Sequence, residues 1–104
     1  MLELTKENFD QEVKEAEGYV LVDFWSQSCE PCKALMPHVH DMEKDFENIK
    51  FTSFDIGLGR RLAIREKVMG LPVIAIYKDG ERVDAVTTDD ATKENVRAML
   101  EKYA

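Results

Sequence analysis

The chain has only two cysteines in 104 residues, too few for the disulfide-dense framework that staples small secreted folds. Cations are also scarce, with 14 Lys and Arg against 21 Asp and Glu and a net charge of -7. Without clustered cations to neutralise phosphates, general nucleic-acid binding is excluded, and the acidic balance favours solubility. Charged residues make up 34% of the chain and are spread too evenly to leave a membrane span. Met1-Leu2-Glu3-Leu4-Thr5-Lys6-Glu7 lacks a basic segment followed by an apolar run. No signal peptide or presequence is therefore expected, and the cytoplasm is the expected location. No repeat, low-complexity tract or Pro/Gly/Ser-rich linker interrupts the chain, so residues 1–104 are expected to form one domain.

What is present suffices for a core, since 44% of the residues are apolar. Thr5 is placed to cap a first helix in which Phe9, Val13 and Ala16 share a face, with Gly18 ending it. Tyr19 to Trp25 is apolar on both parities apart from Asp23, the pattern of a central strand covered on both faces. From Cys29 to about Asn48, the residues Leu35, Val39, Met42 and Phe46 recur at steps of four and three. That spacing predicts a helix with one apolar stripe, kinked by Pro37. Lys50 to Ile56 and Val73 to Tyr77 read as further strands, and Gly57 to Val68 as a helix or turn. Asp79-Gly80 signals a hairpin from the Val73 strand into Arg82 to Val86. Thr92 or Asp90 caps a final helix that turns Val96, Leu100 and Tyr103 inward. This order gives an α/β fold with a mixed sheet and helices on both sides.

The cysteines sit three apart in Cys29-Glu30-Pro31-Cys32. In a chain of strands alternating with helices, that spacing reads as a redox motif or as half of a metal site. On a helix turning about 100° per residue, Cys32 points near the inward stripe of Leu35 and Val39, and Cys29 lies about 60° further round. One sulfur is then exposed and the other sheltered. Cys29 falls in the first helical turn, where free backbone N–H groups and the helix dipole favour a thiolate, so it is the expected nucleophile. Cys32 is close enough to resolve a mixed disulfide formed at Cys29. Two other readings stand beside this one: thiols packed as small hydrophobes, and a zinc site completed by His38 and His40. Zinc fits the spacing poorly, because histidines two apart on a helix point about 200° away from each other. Asp23 is the second anomaly, either a base or proton relay for the sheltered thiol or a strand-end acid reaching water or a partner. Pro72 is, on the statistics of X-Pro bonds alone, a trans turn proline.

Asp23-Phe24-Trp25, Cys29-Glu30-Pro31-Cys32-Lys33, Pro37, Gly70-Leu71-Pro72 and Lys78-Asp79-Gly80-Glu81 stand in the order and at the spacing of the thioredoxin family, which the chain resembles along essentially its whole length. The resemblance implies a thioredoxin fold, with a central mixed sheet of four or five strands and about four helices. It also implies that Pro72 is cis beside the dithiol, that Asp23 assists deprotonation of Cys32, that Trp25 packs against the active-site loop, and that Gly70-Leu71-Pro72 offers backbone to an incoming peptide. The implied function is that of a thiol-disulfide oxidoreductase, an electron carrier and protein-disulfide reductase. Its redox centre is the Cys29–Cys32 pair, with no bound cofactor or metal. It is expected to act as a monomer on disulfide-containing proteins and to be recycled by a flavoprotein thioredoxin reductase. The rival is a non-catalytic adaptor of the same fold, dedicated to one redox enzyme complex.

Several residues depart from the family pattern. Ser28 stands where an aromatic usually precedes the first cysteine, and is placed to cap the helix. Glu30 replaces the usual glycine; between the thiols, next to Pro31, it is expected to tune the potential by opposing ionisation of Cys29. Ser53 and Asp55 occupy the stretch where many relatives place a lysine near the buried acid. The glycine usual in the substrate groove falls near Thr88 or Asp89. Arg60, Arg61 and Arg65 form a local basic patch, read as a solvated helix face ahead of a docking site for an acidic partner.

Overall fold

The structure, a computed structural model, describes residues 1–104. Its five-stranded sheet has the order β1 (Leu2–Glu3), β3 (Ile49–Asp55), β2 (Tyr19–Trp25), β4 (Val73–Lys78), β5 (Glu81–Thr87). β1 and β2 run parallel to β3, whereas β4 is antiparallel to both β2 and β5. The helices are α1 (Glu30–Met42), α2 (Arg60–Arg65) and α3 (Lys93–Glu101), with a further helical segment Asp10–Lys14 ahead of β2.

Alternation along the central strands divides the core between two faces. Val20, Val22 and Phe24 of β2 and Val73, Ala75 and Tyr77 of β4 pack with Phe9, Val13 and Ala63. Leu21, Ile74 and Ile76 face the other way, against Leu35, Val39 and Met42 of α1 and Val96, Met99 and Leu100 of α3. A strand covered on both sides must be apolar at every position, which is why β2 reads as a continuous apolar run. Asp23 shares the parity of Leu21 and therefore lies on the side covered by α1 and α3. On the opposite side, the Phe9 ring sits among Phe24, Phe54 and Tyr77 at centroid distances of 6.1, 5.7 and 6.3 Å.

The hairpin forms as the sequence implies, with Asp79 and Gly80 both left-handed at φ 50° and 88°. Thr5 caps its segment, accepting from the Asn8 N–H at 3.2 Å while Asn8 Oδ1 accepts from the Thr5 N–H at 2.8 Å. Thr92, rather than Asp90, caps α3 by accepting from the Asn95 N–H at 3.1 Å.

Three details differ from what the sequence leads one to expect. The first helical segment closes at Glu15, whose N–H donates to the Asp10 carbonyl at 2.8 Å in a widened turn, so Ala16 lies beyond it and Gly18 only turns the chain into β2. α1 ends at Met42 instead of near Asn48; a tight turn over Glu43–Asp45 carries Phe46 into the same core without continuing the helix. Gly57 to Val68, expected as a helix or turn, holds the end of a tight turn over Ile56–Leu58 and the short α2. Tyr103 falls after α3 and packs on Tyr19 at 5.2 Å between centroids. β1, two residues long and paired Leu2↔Thr52 and Glu3↔Ser53, is too short to leave an alternation pattern.

Candidate active site

β2 ends at Trp25, and a three-residue loop delivers Cys29 to the start of α1, at one end of the sheet. Cys29 is itself the helix cap, with φ -91° and ψ 100°, and its Sγ accepts from the Cys32 N–H at 3.2 Å. Ser28 does not cap; it is exposed, with its hydroxyl 3.5 Å from that of Ser26. Pro31 occupies the first turn, where its missing N–H has no intrahelical partner to lose. Cys29 and Cys32 are joined as a disulfide with a Cα–Cα distance of 5.3 Å. Cys32 is fully buried beside Leu35 and Val39 on the inward stripe of α1, whereas Cys29 is half-buried. The phase of the helix thus separates an accessible sulfur from a sheltered one. A thiolate at Cys29 would meet the free N–H groups of the first turn, which stabilise negative charge. Glu30 is exposed and pairs with Lys33 at 3.5 Å.

Asp23 is only 1% exposed, and neither of its carboxylate oxygens has a hydrogen-bond partner. Burial alone pushes its pKa from 3.8 up to about 7, because the ionised form has lost its water. Ser53 opposes Asp23 in β3 and Ile74 opposes it in β4. Ser53 also lines an open cavity of about 390 Å³ with Trp25, Lys33, Met36, Pro37 and His40. That cavity brings solvent to the strand position next to the buried acid. Trp25 is half-buried there, beside the first turns of α1.

The Leu71–Pro72 peptide is cis, and the trans expectation from X-Pro statistics is overturned. Statistics of an isolated X-Pro bond carry no tertiary context, and here Pro72 is buried and its carbonyl accepts the Thr88 N–H at 2.8 Å. Val73 pairs with Phe24 on one side and Thr87 on the other. One step beyond that register, Trp25, Pro72 and Thr88 stand in a row at the end of the sheet where α1 begins. Gly70 and Leu71 are half-exposed, and neither makes a backbone–backbone hydrogen bond. Of the two groove candidates, Thr88 is the residue against this loop: a Cβ on Gly70 would lie 2.9 Å from Thr88 Cγ2.

The remaining candidates lie elsewhere. His38 and His40 are exposed, and His40 Nδ1 sits 3.4 Å from the Met1 amino nitrogen. Arg65 is held by Asp10 and by Glu66, the latter at 2.9 Å, while Arg60 and Arg61 are exposed. No pattern in the sequence points to the Glu66–Tyr77 pair, in which the buried Tyr77 hydroxyl donates to Glu66 Oε1 at 2.8 Å. The pair forms across the fold on the face away from the dithiol, where Glu66 also meets Lys14 at 3.5 Å. Met36 likewise enters the cavity beside Trp25 without a distinguishing pattern in the sequence.

A family model described as Thioredoxin matches residues 1–102. A thioredoxin of Acetoanaerobium sticklandii is 59% identical over 104 residues, covering 99% of each chain. A thioredoxin of Peptoclostridium acidaminophilum is 50% identical over 104 residues, covering 99% of this chain and 94% of its own. Among solved structures, a Plasmodium falciparum thioredoxin superposes with a TM-score of 0.92 at 26% identity, covering 100% of both chains.

Proposed function

The chain belongs to the thioredoxin family and is a thiol-disulfide oxidoreductase with protein-disulfide reductase activity, and we propose that Cys29, Cys32 and Asp23 divide its chemistry between them. The observation that carries this assignment is the asymmetry of the pair: an accessible sulfur at a helix cap, a buried one behind it, and a partnerless buried carboxyl on the same side of the sheet. In the reduced protein the Cys29 thiolate attacks a substrate disulfide, forming a mixed disulfide and expelling one substrate thiolate. The Asp23 carboxylate takes the proton of the Cys32 thiol. The Cys32 thiolate then attacks Cys29 Sγ, closing the Cys29–Cys32 bond and releasing the second substrate thiolate. Two electrons have passed to the substrate, and the protein is oxidised.

Trp25 supports the start of α1, and Gly70, Leu71 and Pro72 receive the substrate backbone, a role favoured by the unpaired peptide groups of Gly70 and Leu71. Glu30 and Pro31 tune the potential. The protein acts as a single domain over residues 1–104, a monomer in the cytoplasm without a bound metal or cofactor, and a flavoprotein thioredoxin reductase returns electrons to it. A dedicated adaptor would have no use for a buried acid near neutral pKa behind its disulfide. Insulin reduction coupled to dithiothreitol tests the assignment. Cys29→Ser should abolish the reaction and Cys32→Ser should accumulate mixed disulfides with substrate, whereas retained turnover in Cys29→Ser would rule out the proposed nucleophile.

A further inference from the structure

We propose that the cleft walled by Lys6, Arg60 and Arg61 is a docking surface for an acidic segment of a disulfide-bearing protein substrate, on the side of the dithiol loop away from Pro72. The proposal rests on the dithiol reading above and adds the charge class of the substrates, which that reading leaves open.

Strand polarity places the cleft. β1, β3 and β2 lie side by side and run parallel, so all three release the chain at the same end of the sheet. Lys6 follows β1, Gly57 to Arg61 follow β3, and Ser26 to Cys29 follow β2. The carboxyl ends of parallel strands are where loops converge to bind ligands. Direct contacts join the three segments. Gly59 packs against Lys6, whose Cβ would lie 3.2 Å from a Cβ at that glycine. Asp55 accepts from the Gly57 N–H at 2.9 Å and from Gln27 Nε2 at 3.1 Å, which ties the segment after β3 to the dithiol loop. Neighbouring strands are about 5 Å apart, so the cleft begins within about 10 Å of that loop, roughly three residues of extended peptide. β4, which Pro72 precedes, flanks β2 on its other edge.

Charge selects the occupant. The cleft has a volume of about 720 Å³, and its wall carries four cations, Lys6, Arg60, Arg61 and Arg65, against one acid, Glu7. That local sign is the reverse of the chain's, whose net charge is -7. Arg65 is taken up by Asp10 and Glu66, but Lys6, Arg60 and Arg61 are exposed and form no ion pair within the fold. Unneutralised cations held together in this way concentrate a positive potential that steers an acidic partner and holds it. Each guanidinium can grip a carboxylate with two N–H groups, and Leu58, 56% exposed on the same wall, covers the aliphatic stem of a glutamate. Other occupants fit less well. A second copy would bring -7 against -7, and a nucleic acid needs more phosphate contacts than three free cations supply.

The test uses two peptide disulfides that differ only at positions about three to five residues from the cysteine, glutamates in one and glutamines in the other. Second-order rate constants for reduction by pre-reduced full-length protein are measured at low salt and at about 1 M salt, where charges are screened beyond about 3 Å. At low salt the glutamate peptide should react about fivefold faster, and high salt should remove the difference. A merely solvated helix face predicts the opposite order, because a net charge of -7 repels that peptide. Arg60→Gln combined with Arg61→Gln should abolish or reverse the preference. Lys44→Gln combined with Lys102→Gln, the same loss of charge beyond the far ends of α1 and α3, should keep it. Equal rates or a faster glutamine peptide in the wild type, a preference that survives high salt, a preference unchanged by the arginine substitutions, or an equal loss from the lysine substitutions would each overturn the proposal. Dimerisation of the wild type that the arginine substitutions abolish, read by sedimentation, would assign the cleft to a second copy and overturn it too. Thermal unfolding checks that the variants fold, and the salt dependence of the wild type decides without them. A wild type that reduces neither peptide would overturn the dithiol reading on which the proposal rests.

Discussion

Replacing Asp23 by Asn should change how stability depends on pH, in a direction opposite to that of an ion-paired carboxylate. In the oxidised protein neither cysteine titrates, and Asp23 is the buried carboxyl on the dithiol side of the sheet that no hydrogen bond compensates. Its pKa is about 7 when folded, against an ordinary value of 3.8. Between those values the unfolded chain has released this proton and the folded chain still holds it. Folding therefore takes up a proton, and the unfolding free energy falls by about 1.36 kcal/mol for each pH unit climbed through that window. The stability associated with the neutral carboxyl is fully present below pH 3.8 and is lost as pH rises through about 7. Across the whole window the loss comes to about 4 kcal/mol, a large part of what holds a domain of this size together. Asp23→Asn removes the titration and keeps the shape. Whatever constant offset the amide adds, the difference between variant and wild type should grow with pH between about 4 and 7 and level off above. Urea unfolding of both oxidised proteins from acid to mildly alkaline pH measures it. A difference curve that stays flat between about pH 5 and 8 would refute both the raised pKa and the role built on it. Under the proposed mechanism, a carboxyl poised near neutrality is partly ionised and so able to accept the proton of Cys32.

The exposed Glu30 places a negative charge next to the site of the Cys29 thiolate, disfavouring the reduced form, while its pairing with Lys33 at 3.5 Å limits the effect. Glu30→Gly should therefore raise the reduction potential by about 10 to 30 mV, read by equilibration with glutathione, and an equal or lower potential in the variant would contradict this. Phe9, fully buried against Phe24, Phe54 and Tyr77, should cost about 3 to 5 kcal/mol when cut to Ala, measured by urea unfolding. A loss below about 1 kcal/mol would mean that the surrounding rings close the void, contrary to their mutual tilting and edge contacts.

How far the molecule could be read from its sequence depended on the distance over which each feature is determined. β2 and β4 are apolar on both faces because helices cover both faces, and the Asp79-Gly80 turn needs two left-handed residues, so these elements leave local signals. Helical phase anticipates the division of Cys29 and Cys32 into accessible and sheltered sulfurs, although Cys29 caps α1 with an extended backbone instead of lying in its first turn. Phe46 misled the reading of α1 because a buried residue in a tight turn continues the apolar spacing after the helical hydrogen bonds have stopped. Cys29 displaced Ser28 as the cap because the residue three beyond Ser28 is Pro31, which has no N–H to give, whereas the residue three beyond Cys29 is Cys32, whose N–H the sulfur accepts.

The groove is different in kind, because its walls come from strands that meet only through register. Nothing local to Thr88 predicts a left-handed backbone, and threonine argues against one. The antiparallel pairing of Val73 with Thr87 brings Thr88 to Pro72, and the pairing of Val73 with Phe24 sets that couple beside the strand leading to the dithiol. The proposed chemistry therefore draws on the few residues from Cys29 to Cys32 and on Asp23 behind them. The walls beside Pro72 are set by the sheet register, which brings residues distant in sequence to the end of the sheet where α1 begins.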